Sequence, residues 1–272
     1  MSIVIVDNIK RNIPAGLNRA LASASGEYII RLDAHCIPAE NYVELCLNDI
    51  KEGKGENVGG AWVIQPGNET LMAKAISLAA AHPLGVGDAK YRHGSEAGFV
   101  DTVPFGSFRK DIFDRFGLFD ERLLTNEDYE FNSRLRKGGA RIWFNPEIKS
   151  IYFSRTTLVD LARQYWRYGF WKWLMLRSYP NTLRFRQALP PLFILSIIGL
   201  VFLCLRVPIA RYALLLEIGV YILAIFIGTR VIKYQRGSLN LWIGMNLAII
   251  SMHFSWGAGF LWSILKNGFK AP

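Results

Sequence analysis

Asp33-Ala34-His35 follows an apolar run and sets an oxygen ligand and an imidazole two positions apart. On an extended backbone residues i and i+2 face the same side. The two could then share one Mg²⁺ or Mn²⁺, which in turn grips a diphosphate. The plainer alternative is a solvated loop or a helix cap. Glu127-Asp128, with Glu130 close behind, opens a helical stretch. Carboxylates there are favoured by the helix dipole, so capping alone accounts for them; one of them could also take a proton from an attacking hydroxyl. Gln164 and Arg167 lie three apart on one helix face. A guanidinium there either anchors the helix at a membrane surface or recognises a diphosphate or acceptor.

These groups need elements to hold them. Ile3–Val6 reads as a strand, and Asn12 before Pro14 as the cap and first turn of a helix that stops near Gly26. Glu27–Leu32 is a strand that delivers Asp33 and His35 at its carboxyl end. Pro38 opens a helix, Asn57–Ile64 is a strand and Glu69–Ala81 a helix. His82–Gly98 is a long loop, Phe99–Val103 a strand ending at Pro104-Phe105-Gly106, and Asn126–Lys137 a helix. Ala140–Phe144 and Ile148–Phe153 are late strands. Strands alternating with helices predict an α/β domain with a mostly parallel sheet, whose ligands bind beyond the carboxyl ends of strands.

The chain has 272 residues, 51% of them hydrophobic. The apolar excess is concentrated after Ala188, in stretches at 188–205, 212–229 and 239–265. Each is long enough to cross a hydrocarbon core. Arg206, Arg211, Arg230, Lys233, Arg236, Lys266 and Lys270 flank them. Glu217, Asn246 and His253 are costly in lipid and should face protein or water; packing contacts are favoured for them over a transport pathway. Between 158 and 179 an aromatic band (Leu158, Leu161, Tyr165, Trp166, Tyr168, Trp171, Trp173) and a polar face with Asp160, Arg163 and Arg167 describe an amphipathic interfacial helix.

The net charge is +10. Arg163, Arg167, Lys172, Arg177, Arg184 and Arg186 crowd the approach to the first apolar stretch, which suits a cytoplasmic, anionic membrane surface. No compact basic motif of a nucleic-acid module is present, so no nucleic-acid partner is expected. Cys36, Cys46 and Cys204 have no disulfide or zinc spacing.

Taken in order, IVDNIKRNIPAGLNRAL, GEYIIRLDAHC, VDTVPFGSFRKDIF, GLFDERLLTNEDYEFNSRLRKGG and RQYWRYGFWK resemble the family 2 glycosyltransferases of the GT-A fold, and among them the bacterial exopolysaccharide enzymes of the succinoglycan type. The resemblance covers nearly all of residues 3–187. It implies that Asp33 stands at the first Asp of the family's D-x-D metal motif, with His35 in place of the second. Asp128, beside Glu127, matches the catalytic base. Arg31, Asp33, Phe105, Gly106, Gln164 and Arg167 would meet substrate; Gln164 and Arg167 start a Q-x-x-R-W motif in which Tyr168 replaces Trp, so processive synthesis is not inferred. The family's first strand–helix–strand unit, which holds the nucleotide base, is expected to be missing, since Met1 falls before what would be the third strand.

The resulting expectation is a GT-A-like domain at 1–157, an interfacial segment at 158–187 and a membrane region at 188–272. The protein would be a multi-pass resident of the bacterial inner membrane with its transferase domain in the cytoplasm. It would move a hexosyl group, with inversion, from a nucleoside-diphosphate sugar, UDP being the expected carrier, to a lipid-linked saccharide. A non-catalytic membrane scaffold descended from such an enzyme is the alternative.

Overall fold

The computed structural model describes residues 3–231 and 238–268. Lys233, Arg236 and Lys270 of the flanking charges lie outside the described residues. The strands are β1 (Tyr28–Ile30), β2 (Cys36–Pro38), β3 (Asn57–Gln65), β4 (Gly98–Phe99), β5 (Ser107–Arg109) and β6 (Ile142–Phe153). The helices are α1 (Ile13–Ser23), α2 (Tyr42–Lys51), α3 (Leu71–Ala80), α4 (Pro83–Val86), α5 (Lys90–His93), α6 (Ile112–Phe116), α7 (Glu127–Lys137), α8 (Leu158–Ser178), α9 (Phe185–Cys204), α10 (Ala210–Gly228) and α11 (Leu239–Asn267). They form two compact units: one runs up to Val63 and includes Ala89–Tyr152, the other takes Ile64–Asp88 and the chain from Phe153 on.

In the first unit the sheet order is β1-β5-β3-β6-β2, with β4 also on β6. The α/β class is as expected, but the sheet is mixed rather than mostly parallel. β5 is antiparallel both to β1 (Ile29 opposite Phe108) and to β3 (Val58 opposite Ser107), so it separates two strands that run the same way. β2 and β4 are antiparallel to β6. β5 follows β4 through a loop, yet pairs with β1 and β3 rather than with β4. With only three residues, it carries too little alternation to be read from sequence.

Asn12 caps α1 by accepting the Ala15 N–H at 2.9 Å, as its position before Pro14 predicts. Leu21 of α1 then meets Phe108, Ile112, Phe113, Phe119, Phe131 and Leu135 in one buried cluster, and Tyr42, Cys46 and Ile50 of α2 close over Val58 and Ile148 in another. Five expectations need correction, two of them at 82–103, where short helices α4 and α5 interrupt the expected loop and the strand expected at Phe99–Val103 is only Gly98–Phe99. Ile3, Val4 and Ile5 form no strand and are 88%, 66% and 90% exposed; without a partner strand an extended run gains no ladder bonds. Pro38 ends the edge strand β2 instead of opening a helix, a place where its missing N–H is harmless. The two late strands are one, because the buried alternation through Ile142, Phe144, Ile148, Ser150 and Tyr152 keeps its period across Pro146.

In the second unit α9, α10 and α11 are each long and apolar enough to span a membrane. α8 packs along α11 through glycines: a Cβ at Gly169 would collide with the Trp256 carbonyl, and one at Gly259 with that of Trp166. Small residues at such crossings let backbones approach closely. Leu161 and Tyr165 of α8, Met245, Ala248, Ile249 and Met252 of α11, and Ala75, Ile76 and Ala79 of α3 share one core. Lys172, counted above among the surface cations, is 1% exposed and donates to the Thr182 carbonyl at 2.7 Å, so it belongs to the packing of α8. The three polar residues of the spans are all engaged. Glu217 accepts from Ser196, Asn246 bonds Thr229 and the Trp242 carbonyl, and His253 sits between Tyr221 and the Leu84 carbonyl.

Candidate active site

Beyond β1 the backbone stays in register for one more residue: the Arg31 N–H donates to the Gly106 carbonyl at 3.1 Å. The chain then turns. The Cys36 N–H donates back to the Asp33 carbonyl at 3.1 Å, so Asp33-Ala34-His35 lies in a turn. This corrects the extended geometry on which a shared Asp33–His35 ligand pair was argued. His35 is exposed and meets Tyr152 edge-on at 5.6 Å.

Phe105 and Gly106 shape the carbonyl that receives Arg31. The Gly106 N–H donates to Pro104 O at 2.7 Å across Phe105, whose φ is +64°, closing a γ-turn. A left-handed residue other than glycine costs about 1–2 kcal/mol; buried Phe105 is held there beside Trp62, at 5.9 Å between ring centroids. Gly106 has φ +84°, and a Cβ on it would lie 2.5 Å from the Phe108 ring and 2.9 Å from Asn57 Oδ1.

Across from this segment, Asn126 at φ +71° swings the chain into α7, and Glu127-Asp128 form its first turn. Glu127 is 5% exposed and its Oε1 accepts from Arg31 Nη2 at 3.1 Å. Arg31 Nε donates to Asp33 Oδ1 at 3.0 Å, with Nη2 3.4 Å from Oδ2. Asp128, partly buried, accepts the Tyr129 N–H at 2.7 Å. Glu130 is wholly buried and bound by Arg134 at 2.9 Å, which makes it a structural member of the helix.

A hydrogen-bonded circuit fixes this arrangement. Arg31 holds the first turn of α7 at Glu127. Asn132, further along α7, accepts from Asn57 Nδ2 at 2.6 Å and donates to Thr102 Oγ1 at 2.8 Å. Asn57 Oδ1 accepts the Ser107 N–H at 3.2 Å, next to Gly106, whose carbonyl returns the path to Arg31. Buried amides that satisfy each other in this way lock one rotation of a helix against a sheet.

The electrostatics follow from crowding. Burial, then the charge of Asp128, pushes Glu127 up to about 7 against the pull of Arg31. Burial raises Asp128 as well, again opposed by Arg31. Burial alone would lower Arg31, but Asp128, Asp33 and Glu127 outweigh it and hold the guanidinium charged. Three carboxylates thus face one cation.

The structure therefore brings Arg31, Asp33, Glu127 and Asp128 together, with Phe105 and Gly106 supporting them; His35 stands beside them in sequence but turns to Tyr152. Gln164 and Arg167 belong to the second unit, where the Gln164 side chain donates to the Tyr168 hydroxyl at 2.9 Å and Arg167 is exposed on α8. Asn57, Asn132 and Thr102 were not singled out from sequence. Their only trace there is amides and a hydroxyl at positions that otherwise alternate into the core.

Comparison with known proteins shows the family. Residues 2–117 match Glycosyl transferase family 2. The succinoglycan biosynthesis protein ExoA of Rhizobium meliloti is 30% identical over 264 residues, which cover 95% of this chain and 76% of that protein. A Methanococcus voltae protein, dolichyl N-acetyl-alpha-D-glucosaminyl phosphate 3-beta-D-2,3-diacetamido-2,3-dideoxy-beta-D-glucuronosyltransferase, is 28% identical over 272 residues, 98% of this chain and 79% of its own length. A mixed α/β sheet that gathers a strand-end aspartate and a helix-start carboxylate pair, followed by three apolar helices, is thus the frame of a membrane-associated member of the family 2 glycosyltransferases.

Proposed function

We propose that the protein transfers a hexosyl group, with inversion, from a nucleoside-diphosphate sugar to a saccharide acceptor during synthesis of an exopolysaccharide or other surface glycan. The observation that carries this reading is the pairing of Asp33 with the Glu127-Asp128 turn through one buried guanidinium. Asp128 is the base. Its raised affinity for protons lets it take one from an acceptor hydroxyl near neutral pH as that oxygen attacks the anomeric carbon. Glu127, committed to Arg31, keeps the first turn of α7 in place.

A divalent cation fits the donor set. Arg31 balances one of three carboxylates, which leaves the cluster anionic, and Mg²⁺ and Mn²⁺ are held in such sites by one or two carboxylates together with substrate phosphates. Asp33 would hold it, with His35 as the flanking candidate. Among the described residues no group of three His, Cys, Asp or Glu is placed to hold a metal ion, so the substrate's diphosphate would complete the shell. Bound there, the ion supplies neutralisation of the charge that develops on the leaving diphosphate.

The membrane helices and the dolichyl-linked compound in the name of the Methanococcus voltae relative support a lipid-linked acceptor. We take UDP as the carrier, the bacterial inner membrane as the location and the cytoplasm as the side of the transferase domain. We assign 1–157, 158–187 and 188–272 to transfer, membrane surface and anchor, although residues 64–88 of the first stretch pack in the second compact unit. Release of nucleoside diphosphate from a panel of sugar nucleotides tests this, with Mn²⁺ and a membrane lipid extract as acceptor source. Release that stops with EDTA and in Asp128→Asn supports it. Release unaffected by Asp128→Asn defeats the base assignment, and silence across the panel, with the extract shown competent for a known transferase, defeats the activity.

A further inference from the structure

Arg31 lies between half-buried Ile30 and exposed Leu32, yet is itself only 9% exposed. Burying a guanidinium is costly even when it is paired. Here the pairing is incomplete, because Nη1 is buried without a hydrogen-bond partner. A buried unpaired donor is costly, so a cluster without any of these charges would be the more stable packing. What the residue does instead is visible in its bonds. It joins Asp33 at 3.0 Å to Glu127 at 3.1 Å, and the second bond spans 96 residues of sequence.

We propose that Arg31 is a positioning residue that sets the distance between Asp33, on the donor side, and the base-bearing turn Glu127-Asp128, on the acceptor side. The proposal rests on the roles given to Asp33 and Asp128 above. Asp33 sits in a turn and its carboxylate is oriented by Arg31; α7 is pinned further along at Asn132 but at its first turn by Arg31. A planar guanidinium presents its donors in a rigid fork, so it transmits a fixed spacing. Lysine, a point charge on a flexible stem, would keep the charge and lose the spacing. Arg31 therefore acts on both substrates at once: on donor affinity through Asp33 and on turnover through the direction of Asp128.

The test uses the full chain in membranes, with the sugar nucleotide that the wild type turns over in the panel. Arg31→Lys, Glu127→Gln and the double variant Arg31→Met with Glu127→Gln are compared for donor KM, kcat and thermal unfolding. The double variant removes both ends of the buried pair, so it guards against simple misfolding. Arg31→Lys is expected to raise donor KM at least tenfold and lower kcat at least tenfold while unfolding within a few degrees of wild type. The double variant is expected to show a donor KM at least tenfold above Glu127→Gln alone, because Asp33 has lost its holder. Arg31→Lys within threefold of wild type in both constants overturns the proposal, as does a double variant kinetically equal to Glu127→Gln, which would confine Arg31 to neutralising Glu127. A wild type that turns over none of the panel defeats the proposed function, and the positioning role with it. An active wild type with an inactive Asp128→Asn and an indifferent Arg31→Lys defeats the positioning role alone.

Discussion

Asp128→Asn should separate activity from stability in opposite directions. Asparagine is nearly isosteric, and its Oδ1 can still accept the Tyr129 N–H that the carboxylate holds at 2.7 Å. What is lost is the proton acceptor, and loss of a general base costs about 10²–10⁴ in rate, or roughly 3–5 kcal/mol. What is gained is relief of crowding. Glu127 is lifted from 4.5 to about 7, first by burial and then by Asp128. That lift corresponds to about 3 kcal/mol of unfavourable ionisation in the folded state, and the part due to Asp128 vanishes in the variant. The sign is fixed by proton counting. Between pH 4.5 and 7 the folded chain binds more protons than the unfolded one, so the penalty grows through that window and is complete above it. Asp128→Asn should therefore unfold a few degrees higher than wild type at pH 8, at about 2–4 °C per kcal/mol, with little difference at pH 5. The assay is nucleoside diphosphate release beside thermal unfolding at both pH values. More than a tenth of wild-type turnover, or a variant less stable at pH 8, would refute the reasoning.

In the wild type, turnover should rise with pH through about 7, as the Glu127-Asp128 pair sheds its last proton; a pH–rate profile flat from 5.5 to 8 would contradict it. Gly106→Ala places a Cβ 2.5 Å from the Phe108 ring at a left-handed φ. It should cost about 2–5 kcal/mol from conformation and overpacking together, read as a lower unfolding temperature and lower turnover. Asn132→Leu takes the acceptor from Asn57 Nδ2 and the amide donor from Thr102 Oγ1, so it should destabilise by about 2–4 kcal/mol in the same measurement. Gly169→Leu drives a side chain into the Trp256 carbonyl and should separate α8 from α11, seen as loss of the folded chain in detergent.

Much of this site was legible because local chemistry marks it. A helix that starts at Glu127, a cap at Asn12 and a strand ending before Asp33 follow from short-range pattern, and the structure keeps all three. The same holds for α9, α10 and α11, where length and hydropathy suffice. What was hidden depends on distant partners. Arg31 could be placed near substrate by resemblance, but its bond to Glu127 joins elements that no window of sequence contains. β5 escaped because three residues carry no period, and with it went the direction of the sheet. Lys172 misled because a cation on an amphipathic helix is ordinarily a surface group, whereas here the Thr182 carbonyl receives it inside the packing.

The contribution of α3 to the second unit sets a limit on dissecting this enzyme. Its sequence sits amid the transferase strands, yet Ala75, Ile76 and Ala79 are 0% exposed only because side chains from α8 and α11 cover them. A chain cut after residue 157 would keep this helix and discard its cover, baring an apolar stripe to water, and such stripes recruit each other. The anchor is thus a folding partner of a segment threaded through the transferase sequence, and a water-soluble piece would need α3 repainted with polar residues as well as the spans removed.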